Sequence, residues 1–275
     1  MIISRQQSAA SVLADCYAGG IDMNSGFVKT ETTPAGLAVI TFGHPAHNSL
    51  PSLLLDQLNE HIRSAAASPD ITLILLQSAG DRTFCAGASF DELLALTDEE
   101  TGEAFFSGFA RVINTIRQSP ILIIGRVQGK AVGGGVGLMA ACDYCFASEN
   151  AAVKLSEISI NIGPFVIAPA LQRKIGLSAF TTLALNPTTF FDAHWAQQHG
   201  LVHTVRPTTT EMDVAIGQFC EPLLSKSPEA LTALKRTLWQ GTEHWEVLLY
   251  DLAAISGRLA LREESKQSLR KFKQR

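Results

Sequence analysis

The chain has 275 residues, of which 46% are hydrophobic and 17% are charged, so it can bury a sizeable core and lacks the composition of a disordered protein. Its 22 basic and 26 acidic residues give a net charge of −4, which argues against a general nucleic-acid binder. The longest stretch without a polar side chain spans residues 131–142, well short of the roughly 20 residues that a membrane span needs. These figures predict a soluble globular protein of one large or two small domains.

The cysteines indicate the cellular compartment. Five of them are scattered along the chain, at Cys16, Cys85, Cys142, Cys145 and Cys220. An odd, irregular set in a long chain is unlike the disulfide framework of a secreted domain and favours a reducing compartment. We interpret the Cys142-x-x-Cys145 pair as two structural thiols. Because the N-terminus lacks the pattern of a signal peptide, we predict a cytoplasmic protein, with residues 1–25 as an N-terminal extension outside the core fold.

The first two-thirds of the chain alternates between strand and helix patterns. Residues 27–42 predict two extended segments around a turn, and Pro51 begins a helix whose apolar residues recur at helical spacing. Short apolar runs at 71–77 and 121–124 predict strands buried on both faces, with a helix over 99–117 between them. Such alternation implies parallel pairing with right-handed crossovers.

After about residue 165 the pattern becomes helical. Helices are predicted over residues 178–185, 193–199, 212–224, 228–239 and 248–272. We therefore predict an α/β core over residues 26–206, followed by a helical region over residues 207–275.

Two segments rich in small residues each follow a predicted strand and lead into a helix. They are Phe-Cys-Ala-Gly-Ala-Ser-Phe at 84–90 and Gly-Lys-Ala-Val-Gly-Gly-Gly-Val-Gly-Leu at 129–138. Open α/β sheets place ligand sites at such positions, and free amides at a helix N-terminus can stabilise a developing negative charge. The second segment is neither a Walker loop nor a dinucleotide fingerprint, and either segment alone is most simply explained by tight helix–strand packing.

Taken together, the two segments and those that follow resemble the crotonase family, also called the enoyl-CoA hydratase/isomerase family. The resemblance runs from about residue 27 to the C-terminus and includes Ala-Cys-Asp-Tyr at 141–144, Leu-Ser-Glu-Ile at 155–158, Gly-Leu-Val-His at 200–203 and the closing stretch at 265–272. It implies a ββα spiral core with a helical C-terminal trimerisation region. It also implies an acyl-CoA thioester as substrate, no separate cofactor, and a homotrimer or dimer of trimers, with no nucleic acid or membrane as partner.

The resemblance assigns site residues. In that family two backbone amides hold the thioester oxygen, and the matching positions here are Ala88 and Gly134. Further contacts to the substrate or to coenzyme A are implied for Ala86, Ser89, Phe90, Gly135 and Phe272. Two preorganised donors are a physically reasonable way to stabilise an enolate oxygen. No metal is predicted, because none of the seven histidines pairs with a cysteine or carboxylate at metal-ligand spacing.

The sequence departs from the family pattern at the catalytic carboxylates. Typical hydratases of the family use two glutamates; Glu157 lies at the second position, whereas Gly137 stands at the first. Ser89 replaces the usual aspartate, and Phe165 stands where some members carry an acid. We therefore predict that Glu157 alone performs the proton chemistry. The competing interpretation is that Glu157 is a surface or helix-capping acid.

Several functions fit this pattern. The leading hypothesis is an enoyl-CoA hydratase, nearest to the methylglutaconyl-CoA hydratase-like branch. A Δ3,Δ2-enoyl-CoA isomerase is the alternative, since moving a proton between two carbons needs only one base. A decarboxylase would use the same enolate chemistry. From a different class, a non-catalytic acyl-CoA-binding homologue would keep the fold after losing one acid.

The C-terminal region carries two further signals. Its apolar residues exceed what a peripheral helix needs and favour an oligomer: Leu248, Leu249, Leu252, Ile255, Leu259 and Leu261. Residues 256–275 hold seven basic and two acidic side chains. We expect this basic tail to contact the phosphates or adenine of coenzyme A, although a solvated helix face is the simpler explanation.

Overall fold

The computed structural model describes residues 26–273, with side chains as far as Lys271. The predicted extension over residues 1–25 and the side chain of Phe272 lie outside the described residues. Within them the chain forms two β-sheets, of six and four strands, with α-helices on both faces of the larger sheet. This is the α/β architecture with a helical C-terminal region that the sequence predicts.

The larger sheet has the strand order β1-β2-β3-β5-β7-β10. Its members are β1 (Phe27–Thr32), β2 (Leu37–Gly43), β3 (Leu73–Ser78), β5 (Leu122–Val127), β7 (Tyr144–Ser148) and β10 (Thr204–Arg206). β1 pairs antiparallel with β2, and the other neighbours are parallel. The parallel pairing predicted from the alternation of strands and helices is therefore confirmed.

The smaller sheet has the order β4-β6-β8-β9, formed by β4 (Thr83–Cys85), β6 (Lys130–Val132), β8 (Ala152–Lys154) and β9 (Phe191–Asp192). β4, β6 and β8 are mutually parallel, whereas β9 runs antiparallel to β8. The carboxyl ends of the three parallel strands consequently meet at one edge, from which both glycine-containing segments continue into a helix.

The helices of the described range are α1 (Ser52–Ala67), α2 (Phe90–Ala95), α3 (Glu99–Gln118), α4 (Gly134–Ala141), α5 (Ala168–Leu185), α6 (Ala193–Gln198), α7 (Thr209–Leu224), α8 (Pro228–Leu238), α9 (Trp245–Ala260) and α10 (Glu263–Lys273), with a 3₁₀ turn at Glu157–Ile160. Side chains fix several helix starts: Asp98 and Thr208 each form a reciprocal capping box with the third residue of the helix that follows. Over residues 26–273, none of these helices combines the length and hydropathy required to cross a membrane.

Strands β2, β3 and β5 are buried on both faces, which explains their continuous apolar sequences. On one face, Ile40, Ile74 and Ile123 join the main core. The residues that alternate with these along each strand point to the opposite face, where they pack against Met212 and Ile216 of α7. The helix α7 thus covers the second face of the sheet, away from the edge where the two glycine-containing segments lie.

The C-terminal helices differ from the prediction. The continuous helix predicted over 248–272 is wrong, because the chain bends at Leu261 and Arg262 between α9 and α10. The bend lets α10 place Leu269 in a cluster with Leu93 and Ile160. The helix α5 also begins earlier than predicted and continues past Gly176, whose φ of 72° interrupts the helical backbone.

The helices α3 and α9 cross in backbone contact. A Cβ at Gly257 would lie 2.6 Å from Gly102 C and from Glu103 N, so only glycine allows this separation. Part of the apolar surface assigned from sequence to an oligomer interface is therefore used within the chain, where Leu249 is fully buried. The crossing also places Ser256 of α9 in one cavity lining with Phe106 and Phe109 of α3.

The cysteines of the described range are free, buried thiols. Cys142 and Cys145 both pack on Gly125, where an added Cβ would lie 3.2 and 2.9 Å from their sulfur atoms. Burial raises the pKa of the Cys85 thiol to about 12, which leaves it protonated at neutral pH. The burial of Cys142 and Cys145 against Gly125 supports the interpretation of this pair as structural.

Candidate active site

Three loops meet at the carboxyl edge of the smaller sheet and form a cavity. They follow β4, β6 and β8 and contribute Ala88, Gly134 and Glu157. The cavity encloses about 610 Å³, including space open to solvent, and its remaining walls come from α2, α3, α9 and residues 160–167. Parallel strands place their following loops side by side, which is why residues as distant in sequence as Ala88 and Glu157 share one site.

The first two loops approach each other through glycine. Gly87 has a φ of 87°, in the left-handed region, and a Cβ at this position would lie 2.8 Å from Val132 O and 3.3 Å from Gly134 N. Any other residue would push the two loops apart. The close approach brings the Ala88 and Gly134 backbones to the same cavity wall.

The amides of Ala88 and Gly134 are available for a ligand. Within residues 26–273, neither N–H donates a hydrogen bond to a protein acceptor. Gly134 is the first residue of α4, so its N–H belongs to the group of unpaired donors at the positive end of the helix dipole. Two such donors on one wall can stabilise an oxygen on which negative charge develops.

The carboxylate of Glu157 lies against the second loop. Gly133 has a φ of 53°, which favours glycine, and a Cβ there would lie 2.8 Å from Glu157 Oε1 and displace the carboxylate. The amides of Ser156 and Glu157 donate hydrogen bonds to the carboxylate. Oε2 is buried, and no protein group of the described chain donates a hydrogen bond to it. A group in the cavity could therefore exchange a proton with this oxygen.

Burial raises the pKa of Glu157 from 4.5 to about 7, because loss of hydration outweighs the opposing hydrogen bonds from the two amides. A carboxyl group with such a pKa can both accept and release a proton near neutral pH, which is the requirement for a general acid–base catalyst. The burial of Oε2 conflicts with the interpretation of Glu157 as a surface acid. Glu157 does begin the 3₁₀ turn, as the capping interpretation expects.

No second carboxylate can occupy the position of Gly137. A Cβ at Gly137 would lie 2.3 Å from Cγ2 and 2.8 Å from Cβ of Ile167. The branched side chain of Ile167 thus fills the space that a longer residue at 137 would need. Among the described residues that line the cavity, Glu157 is the only carboxylate.

The other residues assigned from sequence divide into two groups. Ala86 and Phe90 line the cavity with Ala88, Gly134 and Glu157. Ser89 and Gly135 lie behind it: the Ser89 hydroxyl caps α2 by accepting a hydrogen bond from Glu92 N, and Gly135 packs on Cys85. The assignment of Phe272 falls on a side chain outside the described range.

Sequence reasoning missed the wall opposite these loops. Phe106 and Phe109 of α3 and Ser256 of α9 line the cavity, and the Phe109 ring packs where a Cβ of Gly134 would stand, 2.3 Å from its nearest atom. The helical spacing of the phenylalanines in α3 indicates a buried face. That spacing does not reveal which loop the face contacts.

The helix α10 packs on the 3₁₀ turn. Asn161 Nδ2 donates hydrogen bonds to Glu264 O and Ser268 Oγ, and Leu269 of α10 is fully buried. This contact places α10 beside the loop that carries Glu157.

The chain is similar to one family and to several of its members. Residues 32–274 match the family described as enoyl-CoA hydratase/isomerase. Over 211 residues, 74% of this chain and 79% of that protein, it is 31% identical to 2,3-dehydroadipyl-CoA hydratase of Escherichia coli (strain K12). Over 200 residues, 71% of this chain and 58% of that protein, it is 30% identical to mitochondrial methylglutaconyl-CoA hydratase of Homo sapiens.

Solved structures give the same result for the fold. The enoyl-CoA hydratase of Bacillus halodurans superposes with a TM-score of 0.83 at 23% identity, over 89% of this chain and 99% of that one. An enoyl-CoA hydratase of Mycobacterium avium superposes with a TM-score of 0.80 at 27% identity, over 90% of this chain and 96% of that one.

The raised pKa of Glu157 predicts a pH-dependent stability. Below pH 4.5 the Glu157 carboxyl is protonated in both the folded and the unfolded protein. Between pH 4.5 and about 7 it ionises in the unfolded chain first, so the free energy of unfolding falls as pH rises. Glu157→Gln should abolish this loss: in urea denaturation at pH 8 its free energy of unfolding should exceed that of the wild type by up to about 3 kcal/mol, with no gain at pH 4. An equal gain at both pH values would contradict the assigned burial.

Proposed function

Since the chain belongs to the enoyl-CoA hydratase/isomerase family, we propose that it binds an acyl-CoA thioester and reacts it through an enolate. The thioester oxygen would accept hydrogen bonds from the Ala88 and Gly134 amides. Both amides lack a protein acceptor in the described chain, and one begins a helix, so charge developing on the oxygen meets preorganised dipoles.

Glu157 would be the base. Its unpartnered Oε2 is buried at the cavity, and ionisation near pH 7 suits removal of a proton from the carbon next to the thioester. The resulting negative charge passes to the thioester oxygen, where the two amides stabilise it.

Isomerisation of a 3-enoyl-CoA to a 2-enoyl-CoA fits this arrangement best. Glu157 would take a proton from C2 and return it to C4, so atoms balance without water or a second acid. The observation that carries this choice is the contact between Gly137 and Ile167, which leaves a single carboxylate in the described cavity lining.

Hydration of a 2-enoyl-CoA is the second candidate. It is favoured by relatives named hydratases at 30–31% identity. In that reaction Glu157 would have to handle the water and the C2 proton in turn.

Turnover of matched substrates distinguishes these candidates. We expect 3-hexenoyl-CoA to be converted to 2-hexenoyl-CoA faster than 2-hexenoyl-CoA is hydrated, with kcat/KM rising through one ionisation near pH 7. Glu157→Gln should lose about 10²–10⁴-fold in kcat, whereas Glu229→Gln, an exposed glutamate of α8, should not. Faster hydration would favour the second candidate. Binding without turnover of either thioester would indicate the non-catalytic homologue.

The role of the Gly134 amide requires a pair of variants. Any Cβ at this position meets Phe109, so Gly134→Ala and Gly134→Pro should be compared in a Phe109→Leu background, which makes room for both. Only proline removes the N–H. The proline variant should have a kcat about 10²–10³-fold below that of the alanine variant. Equal rates would rule out Gly134 as an oxyanion donor.

We also propose a homo-oligomer. An apolar groove beside the cavity supports this proposal; it includes Ile158, Phe180, Leu185, Leu248 and Leu252, and Leu185 is 71% exposed. Light scattering at micromolar concentration should give a multiple of 29.6 kDa, and a stable monomer would contradict the proposal.

We propose in addition that the basic tail binds the phosphates of coenzyme A. The position of α10 beside the 3₁₀ turn supports this proposal.

A further inference from the structure

The cavity lining is largely hydrocarbon. It includes Phe106, Phe109, Ile160, Ile162, Val166 and Ile167. Apart from Phe106, these side chains are at most 6% exposed. A hydrocarbon chain entering this space would lose its hydration and contact apolar surface, which is favourable.

The Ser256 hydroxyl in the cavity lining is already engaged. Ser256 Oγ donates a hydrogen bond to Leu252 O, 3.1 Å away, so its proton is used within α9. The backbone contact between Gly102 and Gly257 holds α9 against α3, and the wall cannot separate there without breaking that packing. Glu157 is the only ionisable side chain of the described lining, and it is negatively charged when it acts as a base.

We infer that the acyl group accepted by this cavity is an uncharged hydrocarbon chain, and that thioesters with a terminal carboxylate are excluded. This inference rests on the proposed function. A carboxylate in such a wall would lose its hydration without a cationic partner among the described lining residues. It would also lie in the same poorly hydrated cavity as the ionised Glu157, and the repulsion between the two negative charges would disfavour binding.

Saturated thioesters test the inference separately from the reaction, since they bind but have no double bond to move or hydrate. Hexanoyl-CoA and adipoyl-CoA have six acyl carbons each and differ in a terminal methyl or carboxylate. Titration calorimetry with the full-length protein should give a Kd for hexanoyl-CoA at least about 100-fold below that for adipoyl-CoA. Equal affinities, or tighter adipoyl-CoA, would overturn the inference while leaving the proposed function intact. Binding of neither would overturn both.

A pair of variants at the cavity rim sharpens the test. Phe165 is half-buried and borders both the cavity and the outer groove, so a longer polar side chain can be accommodated there. Phe165→Arg should lower the ratio of the Kd for adipoyl-CoA to the Kd for hexanoyl-CoA at least about 10-fold, because the guanidinium can pair with the terminal carboxylate. Phe165→Leu, the apolar control, should leave the ratio within about twofold. Equal ratios in the two variants would show that charge in the cavity does not decide the selection.

Discussion

The site depends on backbone segments that approach each other more closely than a Cβ would allow. Gly87 lies against Val132, and Gly133 lies against the Glu157 carboxylate; each has a positive φ, and neither position has room for a side chain. These contacts bring two amides and one carboxylate to a single cavity from three separate loops. The parallel order β4-β6-β8 places the loops side by side, and the glycines allow them to come into close contact.

The same close packing determines the chemistry that the cavity can support. Ile167 occupies the space above Gly137, and Phe109 covers Gly134, so the site is closely packed and limited to one described carboxylate. Burial raises the pKa of Glu157 to about 7. It also strengthens hydrogen bonds to a charged oxygen, since the surroundings screen them less than water does. An apolar wall and a single proton carrier are therefore two consequences of one arrangement.

A second buried charged group of the described chain, Asp143, serves packing. Both oxygens of Asp143 are engaged, Oδ1 by Trp239 Nε1 at 2.7 Å and Oδ2 by Lys235 Nζ at 2.6 Å. Burial lowers the pKa of Lys235, and the charge of Asp143 opposes that effect. This pair ties α8 to the loop before β7, and removing either partner would strand a buried charge. Both oxygens of Asp143 are occupied by hydrogen bonds, in contrast to Oε2 of Glu157. Of the two carboxylates, Glu157 is therefore the one suited to proton transfer.

The sequence alone determined the local features. Apolar runs predicted the buried strands, and the Ala-Gly-Ala and Gly-Gly-Gly segments predicted where loops with free amides would follow them. The motif order identified the family and singled out Glu157 as the remaining acid. Such features depend on neighbours in the chain, and periodicity or a short motif records them. The tertiary structure decided what lies opposite each loop: Ile167 over Gly137, Phe109 over Gly134, and Ser256 brought in by the contact of Gly102 with Gly257. These contacts join residues 25 to 155 positions apart, and their distances depend on how whole helices pack, which no local pattern specifies.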